Sequence, residues 1–321
     1  MKNGITGIGR NVKVRRASAI AVTAATAGSV LASGAAIAPA QALAPEAVTP
    51  AAAPAGVTAA PKAPTVSARG AFLMNAGTGR TLYAKAADTR LPTGSTTKIM
   101  TAKVVLATKG LNLDAKVTIQ KAYSDYIVKN TASSARLIVG DKVTVRQLLY
   151  GLMLPSGCDA AYALADKFGA GRTRDARVKS FIGKMNATAR SLGLKNTHFD
   201  SFDGGGGNGN YSTARDLTRL GMSAMQSDTF RKIVATRSTK QRTVTRSGGH
   251  RDMTWTNTNP LLTSYKGTLG IKTGSGPQAK YCLVFATKRG SKTLYGALLG
   301  SSSDVNRAKD AGKLLNYGFA R

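Results

Sequence analysis

The stretch YCLVFATKRGSKTLYGALLG, residues 281–300, consists of two apolar runs on either side of Arg289-Gly290 and reads as a β-hairpin. Just before it, GIKTGSG (270–276) follows an apolar stretch and is expected to be a further strand. The opposite end of the chain carries a matching signal. ARGAFLMNAGTGRTLYAKA (68–86) places two short apolar runs around Asn75 to Gly79, again a hairpin. QRTVTRSGGHRDMTWTNT (241–258) turns at Gly248-Gly249. Strands at both ends therefore bracket a middle of another kind.

That middle reads as helical. After Ser95, the spacing of Ile99, Met100, Val104 and Val105 is that of a helix closed by Gly110. Thr144 with Gln147, and Thr213 with Asp216, read as capping boxes. Helices are also expected from Asp159 to about Phe168, from Asp175 to about Leu192 ahead of Gly193, and from Ser303 to about Tyr317. One sheet assembled from both termini, flanked by helices and interrupted by an all-α insertion at about 110–235, is an α+β architecture with a cleft between two lobes.

The 321-residue chain is 42% apolar, enough for a real core, and carries 46 Lys+Arg against 15 Asp+Glu, a net charge of +31. Such a charge usually points first to nucleic acid. Here the basic residues are scattered over the whole chain, with no zinc module, RNA-binding aromatic motif or basic helix. A diffuse positive field fits work among anionic wall polymers or lipid headgroups better. The N-terminus agrees. Lys13, Arg15 and Arg16 precede an uncharged run from Ala17 to Ala36, then APAQA (38–42) with its small-x-small sites. Residues 1–42 thus read as an export signal cut before Leu43, in preference to a membrane anchor. The Ala/Pro-rich segment 43–67 reads as a linker, and the folded domain as 68–321. No second apolar span follows, so the mature protein is expected outside the cytoplasm. The two cysteines, Cys158 and Cys282, are expected to be free thiols.

Elimination narrows the chemistry. The two histidines, His198 and His250, and the absence of Gly-x-Ser-x-Gly disfavour a Ser-His-Asp triad. Two His and two Cys show no metal-site spacing, and no cofactor is called for. The only glutamate, Glu46, lies in the linker, so paired-Glu glycoside chemistry is excluded. A lysine base remains. In GSTTK (94–98), Ser95 and Lys98 stand one turn apart on one helix face. A lysine serves as a base only when burial and a second cation favour its neutral form. Lys272, in Lys272-Thr273-Gly274, is the candidate second cation, and Gly274 is expected to leave room for a substrate backbone. Ser156-Gly157-Cys158 sits in the link between two helices, after Pro155. Taken singly, these segments read more readily as an exposed strand lysine and an ordinary interhelical turn.

The order Ser-x-x-Lys, Ser-x-Cys, Lys-Thr-Gly is the three-motif layout of penicillin-binding proteins and related β-lactamases. With LPTGSTTKIMTA, VTVRQLLYGLMLPSGCDAA, LGLKNTHFDS, NYSTARDLTRL and NTNPLL, residues 68–321 resemble the serine-type D-alanyl-D-alanine carboxypeptidase family of low-mass penicillin-binding proteins. Within it they are most similar to the streptomycete DD-transpeptidase type, whose second motif also ends in Cys. The resemblance implies a penicillin-binding-protein/β-lactamase-like fold, mainly antiparallel sheet plus an all-α lobe. It implies Ser95 as acylated nucleophile, Lys98 as its base, and Ser156 as proton relay toward leaving D-alanine with Lys272 as electrostatic partner. Thr273 would help hold the substrate carboxylate, next to Gly274. The N–H groups of Ser95 and Ser275 would form the oxyanion hole. Cys158 replaces the Asn of most members and lacks the paired donor and acceptor of an amide. The implied substrate is a peptidoglycan stem peptide ending in D-Ala-D-Ala, with β-lactams as inhibitors and a role in wall biosynthesis and cell shape. The glycine-rich loop at 202–210 is a second departure. The alternatives are a non-catalytic basic wall-binding protein on this fold, or a β-lactamase, which the absence of Glu disfavours.

Overall fold

A computed structural model describes residues 61–205 and 209–321. The export-signal reading of 1–42 and the first part of the linker, to residue 60, lie outside the described residues. The end of that linker is packed. Val66 is buried, and Ser67 donates from its N–H and its hydroxyl to Asp310 at 2.8 and 2.6 Å. The fold thus starts two residues ahead of Ala68. A two-residue anchor leaves no periodic trace in an Ala/Pro-rich segment.

The N-terminal hairpin is β1 (Gly70–Asn75) and β2 (Thr81–Lys85). A short β3 (Leu91–Pro92) leads into a 3-10 turn, Gly94–Thr97, and then α1 (Lys98–Leu106). Next come β4 (Lys116–Thr118), α2 (Lys121–Asn130), β5 (Lys142–Thr144), α3 (Val145–Met153), α4 (Cys158–Phe168) and α5 (Arg174–Ser191). The two-residue β6 (Tyr211–Ser212), α6 (Ala214–Ala224) and α7 (Asp228–Ala235) follow. The chain ends with β7 (Ser238–Val244), β8 (His250–Thr256), α8 (Leu261–Ser264), β9 (Thr268–Gly276), β10 (Lys280–Arg289), β11 (Lys292–Ser301) and α9 (Asp304–Phe319).

The expected sheet from both termini forms. Its order is β2-β1-β11-β10-β9, antiparallel throughout, with Gly70 opposite Leu299 and Lys272 opposite Val284. Both faces are covered, which is why β10 and β11 read as unbroken apolar runs. Leu283 and Phe285 pack with Leu314 and Leu315 of α9. The alternate residues Val284 and Ala286 face the main core with Ile99 and Leu217. α1 is buried nearly all round, from Lys98 through Val105, and lies between the sheet and the helical lobe.

The insertion is not all-α. β4 and β5 pair with β7 and β8 in a four-stranded sheet, order β4-β5-β7-β8. Three-residue strands are too short to display an alternation, and the hairpin that recruits them falls beyond the lobe's expected boundary. Of the two capping boxes, Thr144–Gln147 is reciprocal, at 3.2 and 2.9 Å. Thr213 caps Asp216 N at 3.0 Å, but the Asp216 carboxylate turns to Asn196 N and the Thr197 hydroxyl, both 2.9 Å. A tertiary bond has replaced the local one.

Candidate active site

Ser95 lies in the 3-10 turn ahead of α1, not in the α-helix itself. With three residues per turn, positions i and i+3 eclipse, and Lys98 Nζ stands 2.7 Å from Ser95 Oγ. Two glycines let this turn dock against β9. Gly94 has φ +50°, and a Cβ there would meet Ser275 O and N at 2.9 and 3.0 Å. A Cβ at Gly274 would meet Thr93 O at 2.7 Å and Thr96 N at 3.0 Å. The space on the Cβ side of Gly274 is filled by the Gly94–Thr97 turn, while Gly274 itself still lines the cavity. Ser95 and Ser275 thereby become neighbours across a backbone-to-backbone contact.

Lys98 is fully buried, and its head group reaches three acceptors: Ser95 Oγ, Asp203 O at 3.1 Å and Cys158 Sγ at 3.3 Å. The second cation is present. Lys272 on β9 is 1% exposed and within Coulombic reach of Lys98. Burial first, then the charges of Lys98 and Arg307, hold the Lys272 ammonium well below the usual lysine range. Lys272 donates to Thr273 O at 3.1 Å rather than to Ser156. Thr273 shares a 2.6 Å hydroxyl contact with Thr258.

Ser156 takes a left-handed backbone, φ +65°, and its buried hydroxyl bonds to no protein group. The Ser133 hydroxyl donates to Ser156 O at 2.6 Å and lies 3.5 Å from Cys158 Sγ. Burial pushes the Cys158 thiol up, and the charge of Lys98 only partly offsets this. Both cysteines are free. The buried Cys282 thiol is pushed up to about 11 by burial and lies 3.3 Å from Ala279 O.

Ser95, Ser156, Cys158, Thr273, Gly274 and Ser275 line one cavity of about 860 Å³. Three further residues on its wall escaped the sequence reading: Arg307, Tyr126 and Asp203. Arg307 donates to Gly274 O at 3.3 Å while its Nε bonds to no protein group. Burial holds its guanidinium below the usual arginine range. A signal for Arg307 existed: it shares the core-facing side of α9 with Ala311 and Leu314, where an unpaired cation is out of place. Tyr126 and Asp203 left none, because they meet only in the fold, where the Tyr126 hydroxyl donates to Asp203 Oδ2 at 2.9 Å.

A serine hydroxyl held by a buried lysine, beside backbone N–H groups and a pair of further cations, is the constellation of an active-serine peptidase whose base is lysine. The sequence profile of D-alanyl-D-alanine carboxypeptidases, peptidase S11, matches residues 57–303, and the chain belongs to that family. It is 67% identical over 258 residues to the D-alanyl-D-alanine carboxypeptidase of Streptomyces sp. (strain K15), covering 80% of this chain and 89% of that protein. It is 31% identical to D-alanyl-D-alanine carboxypeptidase DacF of Bacillus subtilis (strain 168), over 79% of this chain but only 62% of the relative's length. The crystal structure of the Streptomyces K15 DD-transpeptidase superposes with a TM-score of 0.80 at 68% identity, covering 81% of this chain and 100% of the other. A Mycobacterium tuberculosis D-alanyl-D-alanine carboxypeptidase, at 28% identity, gives 0.72, covering 82% and 95%. These neighbours share the α+β fold with its antiparallel sheet.

Proposed function

We propose that the chain is an exported serine D-alanyl-D-alanine carboxypeptidase and transpeptidase that acts on peptidoglycan stem peptides through an acyl-enzyme on Ser95. The 2.7 Å contact of Lys98 Nζ with Ser95 Oγ, at the wall of the cavity, carries the reading. Lys98 takes the Ser95 proton while Oγ attacks the carbonyl carbon of the penultimate D-alanine. The oxyanion that forms is received by the N–H groups of Ser95 and Ser275. Ser156, whose hydroxyl is uncommitted, relays to the leaving amine the proton that Lys98 took from Ser95, gaining one proton as it gives one. The C-terminal carboxylate is held by Thr273 and the cationic field of Lys272, joined by Arg307 through its unpaired Nε. The acyl group then passes to water or to an amine of another stem.

A β-lactam presents a strained acyl carbon to Ser95 in place of the peptide carbonyl. No glutamate stands in 68–321 to hold a deacylating water, so the penicilloyl-enzyme is long-lived. Mass spectrometry after benzylpenicillin is expected to show an adduct that vanishes in Ser95→Ala. An unlabelled wild-type protein sinks the proposal and favours a wall-binding protein on the same fold. Rapid penicillin turnover points instead to a β-lactamase. Release of D-alanine from a diacyl D-Ala-D-Ala peptide, with and without an amine acceptor, gives the division between the two products. The basic, apolar-then-small pattern of 1–42 supports export, and the charge of +26 left when its five basic residues are removed from +31 supports peripheral contact with anionic lipid or wall polymer.

A further inference from the structure

We infer that Asp203, buttressed by Tyr126, is a positioning residue that keeps the Lys98 amine aimed at Ser95 and keeps it from being captured by the Cys158 thiol. The inference rests on the serine–lysine chemistry proposed above. Of the three acceptors around Lys98 Nζ, the sulfur of Cys158 is a weak one. Two oxygens therefore fix the direction of the amine. One belongs to the Ser95 hydroxyl, which moves during the reaction. The other, Asp203 O at 3.1 Å, is the stationary reference.

Asp203 is pinned from several sides. Its Oδ1 accepts from Gly205 N at 2.9 Å and its Oδ2 from the Tyr126 hydroxyl at 2.9 Å. The Thr101 hydroxyl donates to the preceding carbonyl, Phe202 O, from inside α1. The following residue, Gly204, has φ +90° and sits so close to the nucleophile's turn that a Cβ would lie 2.0 Å from Gly94 O. Tyr126, on α2, is held in turn against the rings of Phe202 and Tyr162, with centroids 5.4 and 5.5 Å away. A continuous strut runs from α2 through Tyr126 and Asp203 to Lys98.

The carboxylate has a second effect. Cys158 Sγ stands 3.3 Å from Lys98 Nζ, close enough to compete with Ser95 as the source of its proton. The products, a thiolate and an ammonium, occupy the lone pair that Ser95 needs. The groups facing the thiol are Lys98 of α1, Tyr126 of α2, Ser133 of the loop after α2, Lys272 of β9 and Asp203. Burial and then the Asp203 carboxylate push the thiol up against the pull of Lys98 and Ser133. An asparagine of most family members presents no such acid proton, so this chain, with cysteine there, has need of a nearby negative charge.

The test compares wild type with Asp203→Asn, which keeps an acceptor but loses the charge, and Tyr126→Phe, which keeps the ring but loses the hydroxyl. The readouts are Ser95 acylation by benzylpenicillin, peptide kinetics from pH 6 to 10, and alkylation of Cys158 by iodoacetamide, mapped by mass. Both variants are expected to lose roughly ten- to a hundredfold in kcat, the scale of a displaced catalytic group, with KM little changed. Alkylation of Cys158 moves to lower pH in Asp203→Asn. The double variant is no slower than the slower single one, because both act through one strut. Wild-type kcat and pH profiles in folded variants overturn the inference, as does a loss of activity that only tracks melting temperature. Should Asp203→Asn not fold, Tyr126→Phe decides by the same criteria. A wild-type chain that benzylpenicillin does not label defeats the proposed function instead, and the alkylation profile still reports on Asp203 and Cys158.

Discussion

Lys272 brings a positive charge into a space almost wholly closed to water and already occupied by Lys98. Such a group opposes folding. Its folded value is depressed below the unfolded lysine value of about 10.4, so the unfolded chain binds more protons between the two, and stability rises with pH through that window. Lys272→Met is expected to melt above wild type at neutral pH and to lose acylation. The melting advantage is largest at low pH and closes as pH passes about 10.4. Thermal melts across pH check this, and a variant less stable than wild type at neutral pH contradicts it. Stability is given up here for a cationic seat.

Among the elements, β9 and the 94–97 turn depend most on small residues. Gly274→Ala drives a methyl into Thr93 O and Thr96 N, parting Ser95 from Ser275. The expected result is a loss of about 1–3 kcal/mol of stability, the usual range for overpacking, with a much larger fall in acylation rate. Denaturant melts beside penicillin labelling separate the two effects. α4 and α5 are joined by Asp166, which accepts from Tyr123 at 2.7 Å, Arg177 at 2.6 Å and Arg174 at 3.1 Å. Burial pushes this carboxyl up, but the three bonds outweigh it and hold it below the usual aspartate range. Its contribution is complete above the unfolded value of about 3.9 and is lost as pH falls through the lower folded value. Arg177→Ala is therefore expected to flatten the acid limb of the stability curve, with little change in that limb's shape arguing otherwise. The hairpins, the helix carrying Lys98 and the position of Lys272 on a strand were legible in the sequence, because each writes a period, a turn residue or a motif into a short span. β4, β5 and the Tyr126–Asp203 pair were not. Their meaning lies in partners distant along the chain.

At the scale of the whole molecule, the basic residues are scattered along the entire sequence. Association with anionic vesicles is expected at low salt and is expected to disappear between about 0.1 and 1 M, as the screening length falls from roughly 10 to 3 Å. Sedimentation with anionic and with neutral vesicles measures it, and salt-resistant binding excludes a purely electrostatic contact. The placement of β1 against β11 has a further consequence for how the protein comes into being. Ser95 emerges early in synthesis, yet Gly274 and Ser275, against which its turn is pressed, and the last strand of the sheet arrive only near the end of the chain. A growing polypeptide, or one still threading through a pore, cannot close this sheet. Until then Ser95 lacks the β9 backbone against which its turn is pressed. A chain truncated before β9 is therefore expected to take up no benzylpenicillin.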